Sequence, residues 1–328
     1  MSRLATPGAF GWRRAVWILA SAVSAFAWVA TVRWLYRSTA DHPLLQPWNI
    51  IAGKSRAPYQ YRVLEAVAYW VVKNSLALDS VRADNLVVVG SMAFCLGSTG
   101  LLYYRSSRSW TMASLAQLAL LGSFTFGMVT RARQEFFEVA LVCAALSTLL
   151  ELKSQPRMYA LLALITALGS LNRETFVCAL CAIFAHVLWR RRVAPLPKPA
   201  LRAEALGLAV LTATFVGVTV GLRAYFGLSS YAVPFWMLRN NLRVSMRLGS
   251  PGHVLNMGSG TLAAFLASLS AGNREYLPFV IGYSVPLLLL ASLAANLSEH
   301  RIFYPMMALM VASMTRFSRR QNCGEIGH

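Results

Sequence analysis

Apolar runs of helix length follow one another along this chain and leave little room for a soluble fold. Ten spans can be drawn, about 16–36, 85–104, 110–129, 137–152, 158–171, 175–189, 204–225, 259–270, 277–296 and 302–316. In lipid every backbone polar group must be satisfied internally, so only helices and closed barrels cross a membrane. Barrel strands alternate apolar and polar residues over about ten positions, and these runs do not alternate. Only 13% of the residues are charged while 57% are hydrophobic, against about 25% charged in soluble domains. The expectation is an all-α fold, a polytopic transmembrane helical bundle of about ten spans. Some runs are short: fourteen residues rise about 21 Å, against a hydrocarbon core of about 30 Å.

The net charge of +19 does not point to nucleic acid. Basic residues flank apolar runs here, as they do in membrane loops, and anionic lipid head groups supply the counter-charge. Membrane lipids are therefore the expected partners. Arg3, Arg13 and Arg14 put the N-terminus in the cytoplasm by the positive-inside rule. Ala25-Phe26-Ala27 mimics a signal cleavage site, but the run continues to Leu35 and reads as an uncleaved span. Cys178-x-x-Cys181 lies in an apolar helix with no second ligand pair, which reads as packing. The sequence carries no Gly-rich phosphate loop, His/Cys metal cluster or Gly-x-Ser-x-Gly. Nucleotide-driven and soluble-type hydrolase chemistry are disfavoured, and no cofactor or metal is expected.

Four polar knots interrupt the apolar runs: Tyr59-Gln60-Tyr61-Arg62, Arg131 to Glu135, Asn172-Arg173-Glu174-Thr175 and Ser298-Glu299-His300-Arg301. The chain has only 12 acidic residues, so glutamates beside arginines at the ends of apolar runs are a concentrated signal. Charges at such positions persist mainly where they pair or work. Arg131, Glu135 and Glu138 fall on one helical face at i, i+4, i+7, with Arg133 beside them. Glu138 lies inside an apolar run and needs a partner, for which Arg131 and Arg173 are the candidates. Asn172 is placed to cap a helix beginning there. Arg173-Glu174 reads either as a structural ion pair or as an acid facing a polar cavity. Glu299 and Arg301 stand at the mouth of the last span.

Segment 61–74 decides the topology. Arg62, Glu65, Tyr69 and Lys73 form a polar stripe at i, i+3, i+7, i+11 beside an apolar remainder. The pattern fits an amphipathic helix lying at the interface, with a short true span as the alternative. If the helix is interfacial, all four knots fall outside the cytoplasm and the basic linker falls inside. Residues 190–203 are that linker, rich in arginine and proline, between an N-terminal membrane module, 1–189, and a C-terminal one, 204–328.

Two long outer loops remain. In the first, Asp41 is the lone acid and a candidate general base, or else a helix-terminating residue before Pro43. Tyr59, Tyr61 and Arg62 combine aromatic faces with a planar fork for phosphate. In the second, about 227–257, Arg239, Arg243 and Arg247 form a basic stripe at i, i+4, i+8. The stripe suits either adhesion to anionic lipid or capture of a lipid-linked phosphate.

Ala57-Pro-Tyr-Gln-Tyr-Arg-Val-Leu64, Leu171-Asn-Arg-Glu-Thr175 and Glu299-His-Arg-Ile-Phe-Tyr-Pro305 resemble motifs of bacterial polytopic proteins related to the GT-C glycosyltransferases. The resemblance implies an extracytoplasmic active site in the bacterial inner membrane and interfacial helices in the first outer loop. It also implies a polyprenyl-phosphate sugar donor, with Asp41 as the base. Many such enzymes carry two adjacent acids in this loop, whereas here His42 follows Asp41. On this reading Tyr59, Tyr61, Arg62, Arg133, Glu135, Arg173, Glu174, Arg239, Arg243, Arg247, Glu299 and Arg301 border the lipid-linked sugar phosphate. The other expectations are a non-catalytic binder or transporter of a lipid-linked saccharide, and a structural subunit of an envelope assembly.

Overall fold

A computed structural model describes residues 49–50, 62–126, 133–151, 155–193, 197–227, 276–294 and 304–324. These residues are 94% helical and include no strand, so the fold is all-α. The helices are α1 (Val63–Ser75), α2 (Ser80–Ser107), α3 (Trp110–Phe126), α4 (Arg133–Glu151), α5 (Gln155–Asn172), α6 (Val177–Val193), α7 (Lys198–Phe226), α8 (Leu277–Ala294) and α9 (Tyr304–Gly324). The expected spans 16–36 and 259–270 lie outside the described residues. Among the described residues, two helices are long and apolar enough to cross a membrane, Ser80–Ser107 and Pro199–Phe226, so the expected ten spans are not reached there. Shorter apolar stretches occupy Trp110–Leu121, Leu277–Leu290 and Tyr304–Ser313.

α4 is the central helix and packs against α2, α5, α6 and α9. It is apolar on nearly every face, from Val139 to Leu149, as a surrounded helix must be. α6 pairs with α8, and α5 pairs with α7. One continuous buried cluster draws on α2 through α9, so both sides of the proline-rich link contribute to a single core. Hydroxyls inside these helices bond back to their own backbone: Thr99 donates to Cys95 O at 2.8 Å and Ser106 to Leu102 O at 2.8 Å. Such back-bonds let polar residues sit in an apolar interior. The outward surfaces of α3, α5, α7 and α8 expose Leu118, Leu164, Leu206, Val220 and Leu289.

Helix ends differ from the expected spans where local chemistry extends them. α2 starts at Ser80 because Asp79 caps it, accepting from Arg82 N at 2.8 Å. It stops where Arg108 adopts a left-handed φ of 57°. α6 continues to Val193 and takes Arg190, Arg191 and Arg192 into its last turn, where cations favour the helix dipole. α7 begins at Lys198 with Pro199 in its first turn, where a missing N–H costs nothing. α6 and α7 thus flank residues 194–197, within the expected linker 190–203.

α1 forms over the segment that carries the polar stripe. A tight connection at Leu76–Asp79 folds it back on α2, and Tyr69 packs with Ala83 and Val87. Glu65 and Tyr69 are 2% exposed, while Val67, Trp70 and Val71 are exposed. The middle of the polar stripe thus faces protein while Val67, Trp70 and Val71 face out. Lys73, at the far end of the stripe, donates to Ser80 Oγ at 3.1 Å.

Candidate functional site

The knots on α4 and at the α5–α6 corner meet. α5 ends at Asn172, Arg173 is extended, and a 3-10 turn, Glu174–Phe176, leads into α6. Gly169 makes the corner possible: a Cβ there would overlap the Phe176 ring, which folds back onto the last turn of α5. Asn172 ends α5 and is buried, so it does not cap the following helix as expected. Arg173 occupies that capping position without a side-chain cap bond.

Arg173 reaches α4. One of its terminal nitrogens donates to Glu135 Oε1 and to Glu138 Oε2, each at 3.2 Å. Glu135 is 0%, Glu138 2% and Arg173 8% exposed. Thr175 Oγ1 donates to Glu138 Oε1 at 2.8 Å, and Tyr283 of α8 donates to the same oxygen at 3.3 Å. Glu138 therefore ties together α4, the α5–α6 corner and α8. Of the partners expected for Glu138, Arg173 serves, and Arg131 lies outside the described residues. Buried charge of this kind is tolerated only when paired and hydrogen-bonded.

Glu174 points the other way. Successive residues of an extended segment project to opposite sides, and the Arg173 backbone is extended at φ −158°, ψ 144°. Arg173 turns inward to α4, while Glu174 Oε1 accepts from Arg223 Nη2 of α7 at 3.0 Å, both side chains being largely exposed. The two neighbours thus form two separate ion pairs, where an Arg173–Glu174 pair was one expectation.

A second polar layer lies at the opposite end of the bundle. Arg105 near the end of α2 pairs with Glu151 at the end of α4, and Arg191 of α6 pairs with Glu204 of α7. Glu135 and Glu151 are separated by about 24 Å along one helix. Ser106 bonds Tyr276 at 2.8 Å beside that far layer, and Tyr283 bonds Glu138 two turns later. α8 therefore runs toward the knot end.

Among the expected site residues, Glu135 and Arg173 are joined and Glu174 lies at the same end. Arg62 immediately precedes α1, and Arg133 opens α4. Asp41, Tyr59, Tyr61, Arg239, Arg243, Arg247, Glu299 and Arg301 lie outside the described residues. Buried acids gather on this side, since Glu65 of α1 and Asp84 in the first turns of α2 are 2% and 7% exposed. Sequence reasoning missed Tyr283 and Arg223. The available signals were a hydroxyl in the middle of an apolar run and a charge at the end of one.

No protein-family model, characterised protein or solved structure matches the chain.

Proposed function

We propose that the protein is a polytopic protein of the bacterial inner membrane with a cytoplasmic N-terminus, and that it works as a GT-C-like glycosyltransferase. It moves a sugar from a lipid-phosphate donor to an extracytoplasmic acceptor. Asp41 removes the proton of the acceptor hydroxyl as that oxygen attacks the anomeric carbon. The bond from that carbon to the phosphate oxygen breaks, and the polyprenyl phosphate leaves. Arg62 and the Arg239/Arg243/Arg247 stripe hold the phosphate, while Glu174 and Glu299 border the sugar.

The observation that carries the reading is the buried network in which Arg173 joins Glu135 and Glu138 at the knot end of the described bundle. Carboxylates accept bonds from the hydroxyls that cover a sugar, and exposed leucines on the outer helix faces suit lipid. Glu135 and Arg173 take the part of a rigid wall, because each already engages the other.

The test is transfer of labelled sugar from a polyprenyl-phosphate donor by the purified full chain. Asp41→Asn should abolish transfer at unchanged abundance, and transfer at the wild-type rate would sink the assignment. The satisfied Arg173 network equally favours a non-catalytic scaffold that binds a lipid-linked saccharide. On that reading donor binding survives Asp41→Asn and no transfer occurs in the wild type.

A further inference from the structure

The far polar layer holds donors that Glu204 does not account for. Arg191 uses its Nε on Glu204 Oε2. Its Nη2 is buried and has no hydrogen-bond partner among the described residues. The Tyr159 hydroxyl, on a side chain 6% exposed, is in the same state. The Tyr159 ring lies flat against Gly207, one turn along α7 from Glu204, where a Cβ would collide with it. The hydroxyl lies within electrostatic range of Glu204, Arg191 and Arg190 at the α6–α7 corner. Two buried donors without a partner among the described residues therefore lie near one acid, with Arg190 close enough to act on the tyrosine. Buried donors are normally satisfied, and the unmet need here is for an anionic acceptor with several oxygens.

The surroundings say what carries that anion. Leu188 and Trp189, exposed, immediately precede the arginines on α6, and Leu206 is exposed beside Gly207 on α7. Apolar surface next to a basic corner suits an amphiphile whose chains follow the helices and whose head reaches the arginines. A tryptophan at that level is the usual interfacial anchor. The guanidinium fork matches phosphate geometry.

We infer that Arg190, Arg191 and Tyr159 form a binding site for the phosphate of an anionic phospholipid, clamping α5, α6 and α7 at the end remote from the knots. The site rests on the membrane reading above but not on sugar transfer. The head group reaches the inner donors by rotation of the arginine side chains, and Glu204 sets the position of Arg191. Occupancy bridges the α5–α7 pair to α6, so the lipid stabilises the fold.

The experiment measures thermal unfolding of the full chain in neutral detergent. Phosphatidylglycerol, phosphatidylcholine or inorganic phosphate is added in separate titrations. Phosphatidylglycerol should raise the midpoint, and the other two should not. The Tyr159→Phe/Arg190→Gln double variant should bind phosphatidylglycerol roughly tenfold more weakly while unfolding normally without it. Arg191→Lys, which keeps a cation for Glu204 but loses the fork, should also weaken binding. An equal shift with phosphatidylcholine would overturn the proposal, as would unchanged affinity in both variants. A full response to inorganic phosphate would overturn the lipid source. Carbonate extraction of native membranes tests the membrane reading separately: release into the soluble fraction would defeat that reading rather than the donor geometry.

Discussion

Removing the Arg173 guanidinium should destabilise the protein far more than removing Arg223. In Arg173→Met the side chain keeps its length and apolar stem but loses both 3.2 Å bonds, to Glu135 and to Glu138. Two carboxylates, 0% and 2% exposed and one turn apart on α4, are then left without the cation that joins them. Breaking a buried ion pair by deleting one partner costs about 3–5 kcal/mol, a large part of the roughly 5–15 kcal/mol that holds a typical domain folded. The Arg223–Glu174 pair has side chains 46% and 43% exposed, and exposed pairs contribute about 0–1 kcal/mol. Thermal unfolding in neutral detergent, followed by far-ultraviolet circular dichroism, compares the two. Arg173→Met should lower the midpoint by several degrees, and Arg223→Met should leave it nearly unchanged. Neutralising the acids in an Arg173→Met/Glu135→Gln/Glu138→Gln triple variant should recover most of the loss, because Thr175 and Tyr283 can still bond the amide oxygen. If Arg173→Met unfolds at the wild-type temperature, or no lower than Arg223→Met, the network is not buried as argued.

Other expectations follow from single contacts and use the same unfolding measurement. Tyr283→Phe removes one 3.3 Å bond to Glu138 and should cost about 1 kcal/mol, well below Arg173→Met. Gly282→Ala places a Cβ 2.6 Å from Ala185 Cβ and 2.9 Å from the Ala182 backbone. It should force α6 and α8 apart at a cost of about 1–3 kcal/mol. Gly217→Ala meets nothing within 4 Å on α7 and should instead stabilise by about 0.5–1 kcal/mol through helix propensity. Equal effects of the two glycine substitutions would contradict the packing assigned to the α6–α8 seam.

Helix positions were legible because each apolar run needs its own hydrogen-bonded backbone, and α2 through α9 each coincide with one. Helix ends were less so. Asp79 and Arg108 set the limits of α2 through a side-chain bond and a left-handed backbone, neither of which hydropathy reports. The polar stripe of α1 was visible as a pattern, but its direction was not, since periodicity is the same whether a stripe meets water or α2. At the site, Glu138 announced its need for a partner by standing in an apolar run. Arg173 and Glu174 could not be separated, because adjacency in sequence hides the opposite projection that an extended residue imposes. Tyr283 joins from 145 positions away, a pairing only the packing of α8 beside α6 reveals.

The central claim of the proposed function is that the α4 and α5–α6 knot faces the opposite side of a membrane from the Arg191 layer. Labelling with a membrane-impermeant maleimide tests it, in a background with Cys95, Cys143, Cys178, Cys181 and Cys323 replaced. Glu174→Cys and Arg192→Cys offer exposed sites at the two ends. Glu174→Cys should label in intact spheroplasts, and Arg192→Cys only after permeabilisation. Labelling of both from the same side would contradict the account.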